Sequence, residues 1–278
     1  MDRAQAGGVR ISDVVLEQYG DDGGRARALD EMKRRLHVMQ GAVRRGLEER
    51  LASRSGLTGG AARRVETARA RGGSVLGDSF SRVIARSLAV AEVNACMGRI
   101  VAAPTAGSCG VIPGVLITLA ERLDRSEQDL VMALFTAAAV GGVIATRATV
   151  SGAEGGCQAE CGAAAAMAAA AGVELCGGTP AQSAHAAAIS IKGTLGLVCD
   201  PIAGLVEVPC VKRNALAAAN SVAAIEMALA GVESVVPVDE VIDTMKRVGR
   251  AIPESLRETS LGGLATTPTA LEIARRLG

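Results

Sequence analysis

The residues of this chain best suited to chemistry are its cysteines, because a thiolate can bind a metal ion or act as a nucleophile. There are seven: Cys96, Cys109, Cys157, Cys161, Cys176, Cys199 and Cys210. An odd number spread through 278 residues is not typical of a secreted disulfide scaffold. We therefore expect a cytoplasmic protein with free thiols. Free cysteine also behaves as a small buried hydrophobic residue, so the number alone does not establish a metal site.

Three of the cysteines have neighbours that would hold a thiolate in place. Cys157 follows two glycines, Cys199 precedes an Asp-Pro pair, and Cys210 follows a proline. Cys157 and Cys161 also form a CxxxC pair, which on a helix would place both sulfur atoms on one face. Spacing alone would select that pair as ligands, although it matches neither zinc nor ferredoxin spacing.

Other common cofactor motifs are missing. The sequence contains no P-loop, no GxGxxG fingerprint and no nucleophile elbow, which argues against ATP, NAD and esterase chemistry. Pyridoxal phosphate would require a Schiff-base lysine, and Lys192 and Lys212 keep that alternative open. Of the two histidines, His37 lies in an amphipathic segment and is expected at the surface, whereas His185 is a candidate for the active site.

The composition predicts an all-α fold that positions these residues. Hydrophobic residues make up 49% of the chain, yet it has only two Phe, one Tyr and no Trp. Such a core consists of Ala, Val and Leu, and helices can pack closely through Ala and Gly faces. We expect a compact, Ala/Gly-rich multi-helix body whose Gly-rich loops carry the site. The net charge of +1 gives no global attraction to nucleic acid.

Helix signals divide the chain into a charged helical segment over 1–75 and a hydrophobic body over 76–278, expected to form one continuous domain. Apolar residues at helical spacing over 32–47 predict an N-terminal helix. The apolar stretch from Leu130 to Thr146 is slightly too short for a typical membrane span, so we expect no membrane association. Ser126 and Thr179 are predicted N-caps, and Asp239 is predicted to cap a helix that ends near Gly249.

Four loops rich in Gly, Pro, Ser and Thr separate the predicted helices, and loops carry function more often than the elements they join. They are Pro104–Gly114, Val150–Gly162, Cys199–Lys212 and Ser260–Pro268.

Several stretches, in the same order along the chain, resemble the alpha chain of the iron–sulfur L-serine dehydratases. They are EVNA (92–95), GRIVAAPTAGSCG (98–110), SGAEGGCQAECG (151–162), HAAA (185–188), GLVCDP (196–201), GLVEVPCVKRN (204–214) and ETSLGGLATTP (258–268). The resemblance covers residues 32–268, which is most of the chain. It implies an activity that converts L-serine to pyruvate and ammonia without pyridoxal phosphate.

The resemblance also implies a cofactor and a ligand set. A [4Fe–4S] cluster would be held by three thiolates, Cys157, Cys199 and Cys210, with Cys161 and Cys109 as neighbours rather than ligands. This set differs from the pair that spacing favours. Gln158 and Glu160 would then support the ligands by hydrogen bonds.

The resemblance also implies a partner, and the chain's own polar residues are candidates for the remaining roles in the site. In two-chain members a second domain lies on a separate beta chain, which predicts a partner subunit. The base that removes the α-proton is expected from that chain or from the catalytic candidates Glu154, His185, Lys212 and Asn214. The substrate-binding candidates are Thr105, Ser108, Ser151 and Arg213. Thr105 and Ser108 lie in a Gly-rich loop whose amides could bind an oxyanion.

Three other interpretations stay open on the sequence. A lyase of the same family could act on cysteine, since a thiol also leaves well from a soft iron. A non-catalytic helical module could use its Ala/Gly surface for assembly. A small membrane-embedded protein is the third possibility.

Overall fold

The computed structural model describes residues 1–278 and consists of helices without a β-sheet, which confirms the all-α prediction. The α-helices are α1 (Asp2–Gly7), α2 (Ile11–Glu17), α3 (Gly24–Glu48), α4 (Ala61–Ala70), α5 (Asp78–Ala95), α6 (Val111–Arg122), α7 (Glu127–Arg147), α8 (Gly152–Gly155), α9 (Ala163–Leu175), α10 (Pro180–Lys192), α11 (Cys210–Leu229), α12 (Val238–Ala251) and α13 (Pro268–Leu277). Short 3-10 turns occupy Ala106–Ser108, Ile202–Gly204, Glu254–Leu256 and Gly263–Thr266. A π-helical turn spans Gln158–Gly162.

Helix α9 is the centre of the fold. Its first eleven residues, 163–173, are all buried, and nine of them are alanine or glycine. Helices α6, α7, α10 and α11 all pack against it. Because its side chains are so small, neighbouring backbones can approach closely, and alanine also has the most favourable helix propensity. The expected core of closely packed small side chains is therefore present.

Two predicted helix starts are confirmed by their capping geometry. The Ser126 hydroxyl accepts a hydrogen bond of 3.1 Å from the Asp129 amide, and the Asp129 carboxylate accepts one of 3.0 Å from the Ser126 amide. At the start of α10, Thr179 Oγ1 accepts from the Gln182 amide at 3.2 Å, and Gln182 Oε1 accepts from the Thr179 amide at 2.9 Å. These reciprocal pairs satisfy amides that a helix start otherwise leaves without acceptors.

Other predicted boundaries are wrong. Helix α12 has Pro237 at its N-cap, so Asp239 lies in the first turn instead of capping the helix, whose end at Ala251 is close to the predicted Gly249. Helix α6 begins inside the predicted loop Pro104–Gly114, and α11 begins at Cys210. Helical hydrogen bonding therefore extends further into these loops than their composition indicated. One consequence is that Cys210 sits at the first turn of a long helix.

The charged N-terminal segment shares the core of the hydrophobic body. On α3 the buried side chains of Leu36, Met39 and Val43 belong to the same hydrophobic cluster as α6, α7 and α9. Helix α3 packs against α5 and α7. One core thus contains residues from both predicted segments, 1–75 and 76–278.

By length and composition, α7 is the one helix that could cross a membrane. However, 61% of its most apolar stretch is buried against other helices of the fold. Helices at the core of a globular protein commonly have this character, so α7 is weak support for a membrane location.

We expect Gly46→Ala to destabilise the fold, because α3 meets α5 at this glycine. A Cβ on Gly46 would lie 2.6 Å from both the Cα and the carbonyl carbon of Ala89, and this backbone cannot move aside as a flexible side chain can. The expected loss in free energy of unfolding is about 1–3 kcal/mol. Gly41→Ala in the same helix is the matched control, because a Cβ there meets nothing within 4 Å. That variant is expected to gain about 0.5–1 kcal/mol from helix propensity. Equal midpoints of urea unfolding for the two variants would contradict the close contact.

Candidate active site

Cys157 is placed by a sharp turn at Gly156 and by the side chain that follows it. Gly156 has a φ of +73°, which suits glycine, and a Cβ there would lie 2.8 Å from the Leu197 carbonyl oxygen. The Gln158 amide donates to that same oxygen at 3.0 Å. The Gln158 side chain accepts from the Gly196 amide at 2.9 Å and donates to the Met245 carbonyl at 2.8 Å. Buried Gln158 therefore ties the Cys157 turn to the segment that leads to Cys199.

Cys199 is held by the C-terminal part of the chain. Its amide donates to the Leu256 carbonyl at 2.9 Å, and its own carbonyl accepts from the Glu258 amide at 2.7 Å. These bonds form a single parallel β-bridge between Cys199 and Arg257. The Asp200 carboxylate also accepts from the Leu264 amide at 2.8 Å. The ETSLGGLATTP motif thus acts as a support for Cys199.

Arg213 connects Cys210 to Cys199. It lies three residues after Cys210 on α11, where its side chain is only 14% exposed. One guanidinium nitrogen donates to the Val198 carbonyl at 2.7 Å, and another pairs with Asp200 Oδ1 at 2.8 Å. Arg213 therefore clamps the two residues that flank Cys199. This partnership differs from the substrate-carboxylate role that the sequence suggested, and it makes Arg213 a positioning residue.

These contacts bring Cys157, Cys199 and Cys210 close enough to influence one another electrostatically. Burial raises the pKa of Cys210 to about 12, with a further contribution from the charge of Cys157. Burial also raises the pKa of Cys199, and the charges of Glu160 and Cys157 add to that effect. The Cys161 thiol hydrogen-bonds to Cys157 and lowers its pKa. The structure thus brings together the three predicted ligands and Cys161.

The other cysteines lie apart from this group. Cys109 is buried and its thiol faces the Val90 carbonyl at 3.8 Å, and burial raises its pKa to about 12. Cys96 and Cys176 are half-buried at the C-terminal ends of α5 and α9. None of these three thiols is hydrogen-bonded to Cys157, Cys161, Cys199 or Cys210.

Two carboxylates stand beside Cys199. Glu160 Oε2 accepts from the Cys199 thiol at 3.9 Å, and ligand-capable atoms of Glu160, Cys199 and Glu258 all lie within 4.8 Å of one another. Burial raises the pKa of Glu160. Sequence reasoning gave Glu160 a supporting role but missed Glu258. The only signal for Glu258 was an acidic residue at the start of a Gly- and Thr-rich motif.

The loop before α6 adds hydroxyl groups to the same site. Thr105 Oγ1 donates to Glu160 Oε1 at 2.7 Å and lies 3.1 Å from Ser108 Oγ. A Cβ on Gly107 would lie 3.0 Å from Glu160 Oε1, so this loop passes directly over the carboxylate. The amides of Ala106 and Gly107 have no acceptor within the chain. This loop therefore brings two hydroxyls and two free amides next to the Glu160 carboxylate.

Asn214 fixes this loop to α11. Its Nδ2 donates to the Gly107 carbonyl at 2.7 Å and to the Cys210 carbonyl at 3.0 Å, and its Oδ1 accepts from the Gly110 amide at 2.8 Å. The residue is 1% exposed. With every polar atom of its side chain in use, Asn214 acts as a structural link within the site.

Replacing Asn214 with Asp is expected to loosen the site, because a carboxylate oxygen would then face two carbonyl oxygens. The expected cost is about 1–3 kcal/mol of unfolding free energy, measured by thermal or urea denaturation. Asn220→Asp on the same helix is the matched control, since Asn220 Nδ2 donates to the Ser190 carbonyl at 2.8 Å, outside the site. We expect both variants to be destabilised, but if the site holds the iron–sulfur cluster that the resemblance implies, only Asn214→Asp should retain less iron after reconstitution. Equal iron content in the two variants would contradict this role.

The other predicted site residues are placed differently. Ser151 precedes α8 next to Gly152, where a Cβ would come 3.1 Å from the Glu160 carboxyl carbon, so it borders the site. Exposed Glu154 accepts from the Thr149 hydroxyl at 2.6 Å. Lys212 is exposed on α11. His185 is not brought to the cysteines: its Nδ1 accepts from the Ser234 amide at 3.2 Å, before α12.

A buried carboxylate links the N-terminal segment to the site. Glu207 is 6% exposed and lies three residues before Cys210. Its Oε2 accepts hydrogen bonds from Ser53 Oγ at 2.6 Å and Ser55 Oγ at 2.8 Å. Sequence reasoning missed this contact, because it joins residues more than 150 positions apart. The loop between α3 and α4 is thereby fixed to the segment that leads into Cys210 at the start of α11.

Comparisons with known proteins agree with this arrangement. The family model described as serine dehydratase alpha chain matches residues 6–265. The probable L-serine dehydratase alpha chain of Bacillus subtilis (strain 168) is 49% identical over 271 residues, covering 97% of this chain and 90% of that protein. The L-serine dehydratase alpha chain of Peptoniphilus asaccharolyticus is 44% identical over 272 residues, covering 96% of this chain and 92% of that protein.

Longer relatives match over part of their length. L-serine dehydratase 1 of Escherichia coli (strain K12) is 46% identical over 181 residues, which is 64% of this chain but 40% of that protein. The match to the family model spans nearly all of the helices described above, including every element of the candidate site up to Ala265. The chain therefore belongs to the serine dehydratase alpha chain family.

Proposed function

We propose that this chain is the catalytic alpha chain of an L-serine dehydratase, a lyase that converts L-serine to pyruvate and ammonia. The observation that carries the proposal is that hydrogen bonds join the separate segments of Cys157, Cys199 and Cys210 at one buried site, with Glu160 beside Cys199. The names of the relatives at 44–49% identity support the same reaction.

The donor set fits a [4Fe–4S] cluster. Thiolates are the protein ligands that such clusters use, and three mutually close buried thiols cannot all ionise without a nearby positive charge. We propose Cys157, Cys199 and Cys210 as the ligands, with Cys161 as the hydrogen-bond partner of Cys157. When bound, the cluster would leave one iron with an open position that acts as a Lewis acid toward the substrate hydroxyl. Seven free thiols also suit the cytoplasm, which we propose as the compartment.

The chain's own residues would bind and orient the substrate. The Ser108 hydroxyl and the free amides of Ala106 and Gly107 can hold the serine carboxylate, with Ser151 at the border of the same site, while the Thr105 hydroxyl donates its hydrogen to Glu160. Fixed donors of this kind align a substrate without reorganisation during the reaction. Glu160, held by Thr105, keeps its carboxyl oriented toward Cys199.

The overall reaction balances as the loss of one water followed by hydrolysis. Removal of the α-proton and departure of the β-hydroxyl give 2-aminoacrylate and water. The aminoacrylate tautomerises to the imine, which hydrolyses to pyruvate and ammonia. Glu154 and Lys212 are exposed, and His185 is remote from the site. None of their side chains is hydrogen-bonded to the buried cysteines. We therefore propose that the base that accepts the α-proton comes from a partner chain.

Two observations support a separate partner chain. The relatives over nearly the full length are named as alpha chains, which implies a second chain in those proteins. The Escherichia coli relative has 60% of its length outside the match. We propose that a beta chain carries the equivalent part and completes the active site.

Anaerobic reconstitution of the complex with iron and sulfide tests the proposed function. We expect iron and acid-labile sulfide to bind, and L-serine to be converted to pyruvate only by the reconstituted complex. Parallel assays with L-threonine and L-cysteine separate the related lyase, since faster turnover of cysteine would replace this function with a cysteine-desulfidase activity. A protein that takes up no iron and forms no pyruvate would favour the non-catalytic assembly module.

A further inference from the structure

An arginine-lined groove lies between α4 and the segment that follows α3. It has a volume of about 400 Å³ and is lined by four arginines, Arg50, Arg63, Arg64 and Arg71, together with Leu51 and Gly60. Arg64 lies on α4 and Arg71 is the residue just after its end, so the two are about 10 Å apart along the helix axis. The groove is therefore a basic depression in the surface.

None of these four arginines has an acidic partner. The salt bridges of the chain include eleven of its arginines, but Arg50, Arg63, Arg64 and Arg71 are absent from them. Arg69, on the same helix, pairs with both Glu66 and Asp78. A high overall positive charge does not explain these unpaired arginines, since the net charge of the chain is only +1. Four like charges around one groove repel each other, and an anion between them would relieve that repulsion.

The chemistry of the groove indicates the class of anion. Guanidinium groups bind phosphate oxygens through two parallel hydrogen bonds, which favours phosphate groups over other anions of similar charge. A single phosphate cannot reach guanidinium groups spread over about 10 Å of helix, whereas linked phosphoryl groups can. We propose that this groove binds a small ligand with two or more linked phosphoryl groups, either a free polyphosphate or a nucleoside polyphosphate.

The groove is connected to the active site through the loop between α3 and α4. Arg50 and Gly60, which line the groove, stand at the two ends of this loop. Between them lie Ser53 and Ser55, which hold the buried Glu207 carboxylate three residues before Cys210. A ligand that bridges both ends of the loop would restrict its motion and stabilise the Glu207 contact. The site thus couples anion binding to the segment that positions Cys210.

Calorimetric titration of the full chain at low ionic strength tests the proposal. The probes are tripolyphosphate, ATP, inorganic phosphate and citrate. We expect one equivalent of tripolyphosphate or ATP to bind, with inorganic phosphate and citrate at least tenfold weaker. Tighter binding of ATP than of tripolyphosphate would identify a nucleotide ligand, and the reverse a free polyphosphate. Citrate that binds as tightly as tripolyphosphate would overturn the proposal, because charge alone would then explain the binding.

A pair of double variants separates the groove from general charge effects. Arg64→Gln/Arg71→Gln is expected to weaken tripolyphosphate binding at least tenfold. Arg275→Gln/Arg276→Gln on α13 removes the same charge from two exposed arginines outside the salt bridges, and is expected to bind as the wild type does. Equal weakening in both variants would overturn the proposal. The proposal would also be overturned if the wild type bound no phosphate compound and the groove variant no longer associated with the beta chain. The groove would then be a protein interface.

Hydrogen–deuterium exchange provides a readout of the coupling. Tripolyphosphate is expected to slow exchange of the amides in residues 52–59 of the wild type and to leave the Arg64→Gln/Arg71→Gln variant unchanged. This measurement needs neither cofactor nor substrate, so it stands whether or not the proposed dehydratase activity is found. Binding without any slowing in residues 52–59 would overturn the coupling to the active site.

Discussion

Replacing Cys157, Cys199 or Cys210 with Ala is expected to abolish iron binding in the reconstituted protein and to lower pyruvate formation by two orders of magnitude or more. Removing groups that merely support a metal ligand costs about 10–100-fold, so loss of a ligand itself should cost at least as much. Iron, acid-labile sulfide and the rate of pyruvate formation are measured for each variant under anaerobic conditions.

Two further variants give the controls. Cys161→Ala is expected to keep the cluster with affinity reduced by about 10-fold, because it removes only the hydrogen bond to Cys157. Cys176→Ala, at the far end of α9, is expected to match the wild type. Circular dichroism shows whether each variant is folded. Loss of iron in Cys161→Ala with retention in Cys199→Ala would refute the ligand set.

The second large effect is expected at Arg213. Its guanidinium pairs with Asp200, whose side chain is 4% exposed, and also holds the Val198 carbonyl. Removing one partner of a buried ion pair leaves an uncompensated charge, which typically costs about 3–5 kcal/mol. Arg213→Ala is therefore expected to lower the free energy of unfolding by about that amount. Urea denaturation of the cofactor-free chain measures it without reference to activity.

Conservative variants test whether the geometry of Arg213 matters beyond its charge. Arg213→Lys keeps the positive charge, but one ammonium group cannot reproduce the fork that reaches both Val198 and Asp200. We expect this variant to recover part of the stability and to retain less iron than the wild type. The double variant Arg213→Ala/Asp200→Asn is expected to be more stable than Arg213→Ala, because it removes the unpaired carboxylate charge. Full iron retention in Arg213→Lys would contradict the clamp around Cys199.

Local features of the fold were predictable from the sequence. Ser126 and Thr179 cap their helices as expected, because a capping box is decided by residues three positions apart. The scarcity of aromatic residues likewise implied the close helix packing around α9. Asp239 shows the limit, since a preceding Pro237 begins the same helix two residues earlier.

Residue spacing predicted less of the candidate site than of the fold. The CxxxC pattern reports only which residues share a helix face, and it correctly placed Cys157 beside Cys161. It could not indicate Cys199 or Cys210, which reach the site through tertiary contacts and were suggested only by family resemblance. The same limit hid Glu258, whose place beside Cys199 depends on a bridge between distant segments.

Arg213 illustrates a different difficulty. A basic residue next to a cysteine in a Gly- and Pro-rich motif resembles a binding group for an anionic substrate. In the folded chain one terminal guanidinium nitrogen contacts the Val198 carbonyl and the other contacts Asp200. Sequence identifies the charge of such a residue, but only the fold identifies its partner.

The π-helical turn at Gln158–Gly162 constrains how chains of this type can change in length. A π turn holds one residue more than an α turn. Deleting any one of these five residues would let the turn become α-helical and continuous with α9. Cys157 would then rotate by about 100° around the helix axis. Insertions and deletions during evolution are therefore expected to accumulate in surface loops such as 19–23 and 71–77, while the interval between Cys157 and α9 keeps a fixed length.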